Sequence, residues 1–294
     1  MKIAFITYSG DIKYSPANGF SENTDLIPFL KNKGLNVTEE VWDDPAVDWK
    51  SYDVAILKSP WDYHQKLDSF KAWLKRISQL DVRLFNDYNT VSWNLDKRYL
   101  KEIADAGLDI IASIFLDAGL KVDLDSLFEN LSSDKIIIKP CVSGGSNNTF
   151  VVDLNYSPEL AETIQNLASN TDLVAQPFLE EINDGEWSLH FFNGTYSHTI
   201  LKKPAPGDFR VQQMFGGTIE VPYVDTNLIG KAEAYVSKFA KDTLYARVDG
   251  VFVNGSFQLM ELELIEPFLY LAYDAGAVDR YYNAVLEKLV TLNI

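Results

Sequence analysis

In the first ninety residues, runs with the character of buried strands alternate with helical spacing, and this pattern restricts the fold most. KIAFITY (Lys2 to Tyr8), LNVTEEVW, YDVAILK and VRLFN are the strand-like runs, the first and third almost wholly apolar. Such runs need cover on both faces. Between them a helix is predicted from about Asp25 to Lys33, ending at Gly34. A second carries Leu67, Phe70, Trp73, Leu74 and Ile77 at spacings of three and four, which marks one buried face. Strands separated by helices imply a parallel sheet with right-handed crossovers. Ligands on such sheets gather beyond the carboxyl ends of the strands, where the loop after Tyr8 and the Trp61-Asp62-Tyr63 segment lie.

The pattern changes after about Asn94. A helix is predicted near Leu95, with Asp96-Lys97-Arg98 in its first turns. It is followed by the strand IIASIFL, a helix over Asp123 to Leu131, and the strand KIIIKP. A loop of small residues, Ser143 to Thr149, leads into FVVD. From Leu173 strands dominate: LVAQPFL, EWSLHFFNG, TYSHTILKK and GTIEVPY. A helix over Ala232 to Leu244 precedes the paired strands of RVDGVFVNGSFQLMELELIEP, and an amphipathic helix over Val278 to Leu289 closes the chain. The expected class is α/β plus α+β, in three units: 1–93, 94–173 and 174–294.

Composition narrows the ligands. There are 26 Lys and Arg against 42 Asp and Glu, a net charge of −16, so most of the surface repels nucleic acid and anionic lipid. A polyanionic ligand must meet a local cluster of Lys and Arg, with a divalent cation to help. The one cysteine, Cys141, excludes an internal disulfide and points to a reducing compartment. The amino terminus lacks the long apolar run of a secretory signal, and the uncharged stretch Trp187 to Leu201 is broken by polar residues. A cytoplasmic protein with small-molecule partners, not nucleic acid or membrane, is expected.

Taken singly, the motifs are modest. VSGGSNNTF offers unhindered backbone N–H groups to a phosphate, yet alone it reads more readily as a glycine hairpin turn. Lys97 and Lys139 alone read as surface charges. His64, His190 and His198 lack metal-ligand spacing and read as structural, and Cys141 as a buried small residue. Glu261-Leu262-Glu263-Leu264 says more, because a strand puts both carboxylates on one face. That face is either solvated or cation-binding, and Asp249 on the preceding strand favours the cation. Asn254-Gly255 signals a two-residue type I′ turn, which would split Asp249 from the two glutamates. Keeping them together, with Val248, Phe252, Met260, Leu262 and Leu264 on the other face, predicts a three-residue or bulged turn at Val253 to Ser256.

In order, these pieces resemble the ATP-grasp superfamily, in its glutathione-synthetase-like branch, over essentially the whole chain. WDY near position 61, LFN, SWNLDKRYL, KPAPGDFRVQ and ELELIEP are similar to the ligases grouped with the O-ureido-serine cyclo-ligase of D-cycloserine formation. The resemblance implies an amino-terminal pre-ATP-grasp domain and ATP held between the other two units. Lys97 and Lys139 would reach the α and β phosphates, under a lid containing Ser143, Gly144, Gly145 and Ser146. Gln176, Phe178 and Leu179 would form the adenine hinge, Glu186 would take the ribose hydroxyls, and Lys202 would be a further phosphate contact. Asp249, Glu261 and Glu263 would bind two Mg²⁺, which Mn²⁺ could replace. Arg210 and Arg247 would be catalytic, stabilising the transferring phosphoryl and the later oxyanion.

The implied activity is an ATP- and Mg²⁺-dependent carboxylate–amine ligase working through an acyl phosphate on a small amino-acid-like acid. Its alternatives are an intramolecular cyclo-ligase and a nucleotide-binding protein without ligase chemistry. A homodimer is among the assemblies that the resemblance allows. Two departures fall on the substrate side: Phe268 where relatives carry Ser after the ELELIEP proline, and Lys58 where Arg is more usual. Substrate contacts are expected from Ser9 to Asn23, from Trp61 to His64 and near Phe268.

Overall fold

The computed structural model describes residues 1–10, 21–22 and 24–292. β1 (Lys2–Thr7), α1 (Leu26–Asn32), β2 (Asn36–Val41), β3 (Val54–Leu57), α2 (Leu67–Ser78) and β4 (Arg83–Phe85) form the amino-terminal unit. Its sheet is parallel, in the order β2-β1-β3-β4. Alternation along β1 supplies both covers: Ile3 and Phe5 pack with α1, while Ala4 and Ile6 pack with Phe70, Trp73, Leu74 and Ile77 of α2.

Two short helices, α3 (Tyr88–Asn94) and α4 (Tyr99–Asp105), replace the single helix expected from Leu95. Lys97 sits in the break between them, its backbone N–H donating to the Cys141 carbonyl. β5 (Ile114–Leu116), α5 (Leu124–Leu131), β6 (Lys135–Pro140), β7 (Phe150–Asp153), α6 (Pro158–Ala168) and β8 (Leu173–Pro177) then build an antiparallel sheet, β5-β8-β6-β7. The sequence pattern did not mark α6. Its apolar stripe is thin, with only Ile164 and Ala168 buried, although Ser157 caps it and Pro158 opens it.

β9 (Glu186–Phe192), β10 (Thr195–Lys203), β11 (Thr218–Glu220), α7 (Thr226–Phe239), β12 (Tyr245–Val253) and β13 (Ser256–Glu263) complete a third sheet, β11-β10-β9-β12-β13. α7 starts at Thr226 rather than Ala232, because the Asp225 side chain accepts from the Leu228 N–H and caps it there. α8 (Ala277–Thr291) returns to the first unit, where Tyr281, Val285 and Leu289 share a core with Ile3 and Phe5. No helix among the described residues is long and apolar enough to cross a membrane. The outer edge of β13 is covered by a backbone bridge between Leu259 and Ile110 and, further along, by side chains. The Asn94 amide donates to the Leu262 carbonyl and its oxygen accepts from the Leu264 N–H, while Leu262 N–H donates to the Tyr99 hydroxyl.

The β12–β13 hairpin corrects one expectation and keeps another. Val253 pairs with Ser256, and Asn254 and Gly255 have φ of 51° and 79°, so the turn is the two-residue type I′ that the local signal indicates. The longer turn expected there does not form. The register shifts lower in the ladder instead: Gly250 faces Leu259 and Asp249 faces Glu261, leaving Met260 as an extra residue. Arg247, opposite Glu263, therefore shares a face with Asp249, Glu261 and Glu263, and Val248, Leu262 and Leu264 lie in the core behind. Met260 leaves the expected core set and packs beside Val251 on the cleft side.

A Cβ on Gly250 would collide with the Gln258 carbonyl oxygen and the Phe257 ring. Gly250→Ala should therefore cost about 1–3 kcal/mol, read as a lower denaturant midpoint with an unchanged slope. Wild-type stability in this variant would show that the bulge does not depend on close backbone approach.

Candidate active site

A cavity of about 820 Å³ opens between the second and third sheets and reaches the carboxyl ends of the first. Every site residue named from the sequence lines it: Lys97, Lys139, Ser143 to Ser146, Gln176, Phe178, Leu179, Glu186, Lys202, Arg210, Arg247, Asp249, Glu261 and Glu263.

One end is apolar. Ile111, Ile182, Val211 and Val251 pack there with Phe178, Leu179, Phe209 and Met260. Gln176 is committed to the protein, its amide donating to Ser113 Oγ at 2.9 Å. Phe178 carries Lys135 Nζ 3.6 Å above its ring centroid.

The middle holds paired charges. Arg247 donates to both oxygens of Asp249, to Glu263 and, at 2.9 Å, to the Phe268 carbonyl. Asp249 also accepts from Ser188 Oγ at 2.6 Å and lies 3.3 Å from Lys202 Nζ, which pairs with Glu186 as well. Lys97 Nζ lies 3.2 Å from Glu261 and 3.2 Å from the Ser143 carbonyl. Burial opposes charge on Asp249 and Glu261, but Arg247 and Lys202 hold the first below the usual carboxylate range, and Lys97 and Lys139 do so for the second. Glu263 is pushed up to about 8 by burial, which the neighbouring Asp249 and Glu261 reinforce. Burial also lowers Lys139, and no side chain among the described residues pairs with its amine.

Among the described residues, no three His, Cys, Asp or Glu side chains converge as a ready metal site. The donor set still suits a hard cation. Its donors are all oxygens, and Glu261 and Glu263 keep 34% and 26% of their side-chain surface open, so an ion entering the cavity can reach them.

Arg210 does not reach this cluster. It is held by Asp208, with Nη2 at 2.7 Å, and its guanidinium lies 3.7 Å from the Phe215 ring centroid. The loop expected to act as a lid meets the segment after Arg210 where Gln212 donates to Ser146 Oγ at 3.2 Å.

The other end is walled by Tyr8, Trp61, Phe268 and Tyr270. Phe268 lines the cavity as expected. Lys58 does not: it is buried and lies 2.9 Å from Glu22, which in turn accepts from the Leu269 and Leu271 N–H groups. Lys58 thus supports the Phe268 segment from behind. Most of the loop from Ser9 to Asn23, the other expected substrate contact, lies outside the described residues.

His190 and His198 stack with ring centroids 4.3 Å apart in the buried interior, consistent with a structural role. His64 is different, because it lines the cavity. The segment Trp61 to His64, expected to contact substrate, lines it throughout, whereas Ser188, Asn94 and Glu266 were not singled out from the sequence. Glu266 was visible in ELELIEP but sits outside the alternation that drew attention to Glu261 and Glu263.

A parallel α/β unit, a small antiparallel sheet and a charged cleft above a larger antiparallel sheet make up the ATP-grasp fold, and the chain shares that fold with ATP-grasp ligases. It is an enzyme that forms C–N bonds at the expense of ATP. Residues 121–260 match the prokaryotic glutathione synthetase ATP-grasp domain, and residues 3–86 match the D-cycloserine synthetase DcsG N-terminal domain. The chain is 29% identical to the cycloserine biosynthesis protein DcsG of Streptomyces lavendulae, over 90% of this chain and 94% of that one. The crystal structure of D-cycloserine synthetase DcsG matches with a TM-score of 0.80 at 26% identity, over 98% and 100% of the two chains. The D-alanine–D-alanine ligase of Bacillus anthracis complexed with ATP shares the fold, with a TM-score of 0.66 at 16% identity, over 99% and 98%. So does the ATP-grasp ligase PsnB complexed with a phosphomimetic variant of its minimal precursor, Mg and ADP, with a TM-score of 0.66 at 12% identity, over 97% and 98%.

The buried pair of Lys58 and Glu22 has a measurable consequence. Glu22→Gln strands the Lys58 charge and should cost about 3–5 kcal/mol. Adding Lys58→Met should restore part of that loss in chemical denaturation. If the double variant is no more stable than the single, the cost lies in the two backbone N–H contacts.

Proposed function

We propose that the chain activates a small amino-acid-like carboxylate as an acyl phosphate and joins it to a nitrogen. What carries this reading is the continuity of one cavity: the cation–carboxylate cluster runs directly into a compact aromatic compartment built by the first sheet and the segment after β13. That compartment suits a small zwitterion better than a peptide.

Lys97, Lys139 and Lys202 would hold phosphate oxygens as point charges. The apolar end, with Phe178, Leu179 and Met260, would take adenine, and Glu186 would take the ribose hydroxyls once phosphate draws Lys202 away. Ser143 to Ser146 would close over the phosphates. Asp249, Glu261 and Glu263 would hold Mg²⁺, two ions in our reading and replaceable by Mn²⁺, which neutralise charge on the phosphates. Arg247, fixed between Asp249, Glu263 and the Phe268 carbonyl, would face the transferring phosphoryl. Arg210 would join it on leaving Asp208. The substrate carboxylate attacks the γ-phosphorus and ADP leaves; the nitrogen then attacks the acyl carbon and phosphate leaves.

A second reading, ring closure by a nitrogen of the same molecule, is favoured by the full-length likeness to D-cycloserine synthetase. The test compares ADP release with ATP, Mg²⁺ and O-ureido-D-serine alone against release with pairs of amino acids and amines. ADP with the single compound and a cyclic product establishes ring closure, and ADP only with pairs establishes intermolecular ligation. No ADP with any carboxylate removes the acyl-phosphate reading.

Lys139→Met should weaken ATP binding by about 1.5–3 kcal/mol in calorimetry, without lowering stability in the absence of ATP, because the amine it removes is desolvated and unpaired. Unchanged ATP affinity would displace the phosphates from this end of β6. Glu263 supplies a pH signature. It keeps its proton up to about pH 8 without metal, and a cation needs the carboxylate, so uptake of Mg²⁺ with nucleotide should release protons and tighten as pH rises toward that value. Proton-neutral binding, measured in buffers of different ionisation enthalpy, would take Glu263 out of the cation site.

A further inference from the structure

The segment after β3 is pinned from two sides. The Asp62 carboxylate is already used, accepting from Trp42 Nε1 at 2.7 Å and lying 2.7 Å from Lys66 Nζ. Trp61 Nε1 donates to the Glu266 backbone carbonyl at 3.1 Å, stapling this segment to the one that follows β13. His64 is thereby presented to the cavity from one side and the Glu266 side chain from the other. Their polar ends converge above Gly144: the position that a Cβ on this glycine would occupy lies 3.2 Å from His64 Nδ1 and 3.9 Å from Glu266 Oε1. His64 Nδ1 is buried with no hydrogen-bond partner among the described residues. The absence of a side chain at residue 144 leaves room there for a small group, within the loop next to Ser143, whose carbonyl meets Lys97.

The charged and titratable groups facing His64 are Lys97, Asp62 and Glu266. Burial, and then Lys97, lowers the imidazole, so it is a neutral acceptor at neutral pH. Burial raises Glu266, with Glu263 and Glu261 adding to it, so a basic N–H group entering the cavity would find a partner already desolvated.

We propose that His64 and Glu266 form the site of the attacking nitrogen, an amine or ureido N–H group. Glu266 accepts one N–H, and His64 Nδ1 takes the proton that the nitrogen loses as it bonds to the acyl carbon. In that step the C–N bond forms, the carbon–oxygen bond to phosphate breaks, phosphate leaves with the electron pair, and one proton moves from nitrogen to imidazole. This rests on the acyl-phosphate reading above.

Hydroxylamine separates the two. It is neutral and nucleophilic enough to trap an acyl phosphate as hydroxamate without a base. With ATP, Mg²⁺ and whichever carboxylate gives ADP in the wild type, His64→Gln and Glu266→Gln, shown to be folded by thermal melting, should form hydroxamate within about threefold of the wild-type rate. Ligation to the natural nitrogen should fall about a hundredfold in His64→Gln, with loss of the ascending limb of the pH profile. Ligation within about threefold of wild type in both variants, or hydroxamate and ligation falling together, overturns the proposal. A wild type that yields neither ADP nor hydroxamate overturns the acyl-phosphate reading, and this proposal with it.

Discussion

One extra residue in β13 decides what the rest of the molecule can do. Strand parity is strict: with a regular ladder below the Asn254-Gly255 turn, Asp249 would point into the core and Glu261 and Glu263 away from it. Met260 breaks that parity between Gly250 and Asp249. Two requirements then coincide. The apolar set Val248, Leu259, Leu262 and Leu264 is buried together, and Arg247, Asp249, Glu261 and Glu263 reach one cavity. Burial of each large apolar side chain, about 1.5–3 kcal/mol, holds the register far more firmly than turn preference could.

That register creates an electrostatic problem, which the chain solves by pairing. Several carboxylates side by side at the bottom of a cavity are unstable alone. Arg247, Lys202 and Lys97 pair with Asp249, Glu186 and Glu261, while Glu263 beside Arg247 is left protonated, so the cluster carries little net charge in the nucleotide-free protein. A protein with a net charge of −16 can therefore hold a concentrated basic cluster without a standing excess of positive charge in its cleft. The exchange is cooperative. A phosphate that takes Lys97 or Lys202 uncovers a carboxylate, and the uncovered carboxylates favour a divalent cation. On the proposed roles, nucleotide and metal affinities would be coupled by this swap.

Much of this was legible in the sequence because the signals were local. The parallel first sheet followed from apolar runs and one strongly amphipathic helix, and the charged face of β13 from the period of two in ELEL. What was not legible was set by tertiary context. The bulge at Met260 has only a weak local signal, the glycine at 250 inside a strand, and the sequence pattern places the register shift at the turn instead. α6 hides behind a thin apolar stripe, and the break around Lys97 exists because its backbone N–H finds Cys141 across the chain. The sequence shows a Lys at position 58 but not that it faces Glu22, a partner thirty-six residues earlier. His64 carries no spacing signal, since its neighbour Glu266 lies some two hundred residues away.

The same arrangement separates catalysis from selection. The residues proposed to hold phosphate and cation come from the second and third sheets, whose geometry is locked by the β12–β13 register and by Asn94 and Tyr99 on the edge of β13. The compartment beyond them is built from the first sheet and from the irregular segment after Glu263, which is held by Glu22 and Lys58 rather than by a ladder. Side chains such as Phe268 can change there without altering the strand parity on which the charge cluster depends. Lys58 is more constrained than its distance from the reacting atoms suggests, since it must balance Glu22, whose two oxygens fix the backbone carrying Phe268 and Tyr270. A short cation at 58 and a large ring at 268 are then one packing solution: the Lys58 ammonium lies 5.5 Å from the Phe268 ring centroid, where a longer, planar guanidinium would need the space that the ring fills. Lys58 and Phe268 are thus packed together at the aromatic wall of the cavity, apart from the strand parity that sets the charge cluster.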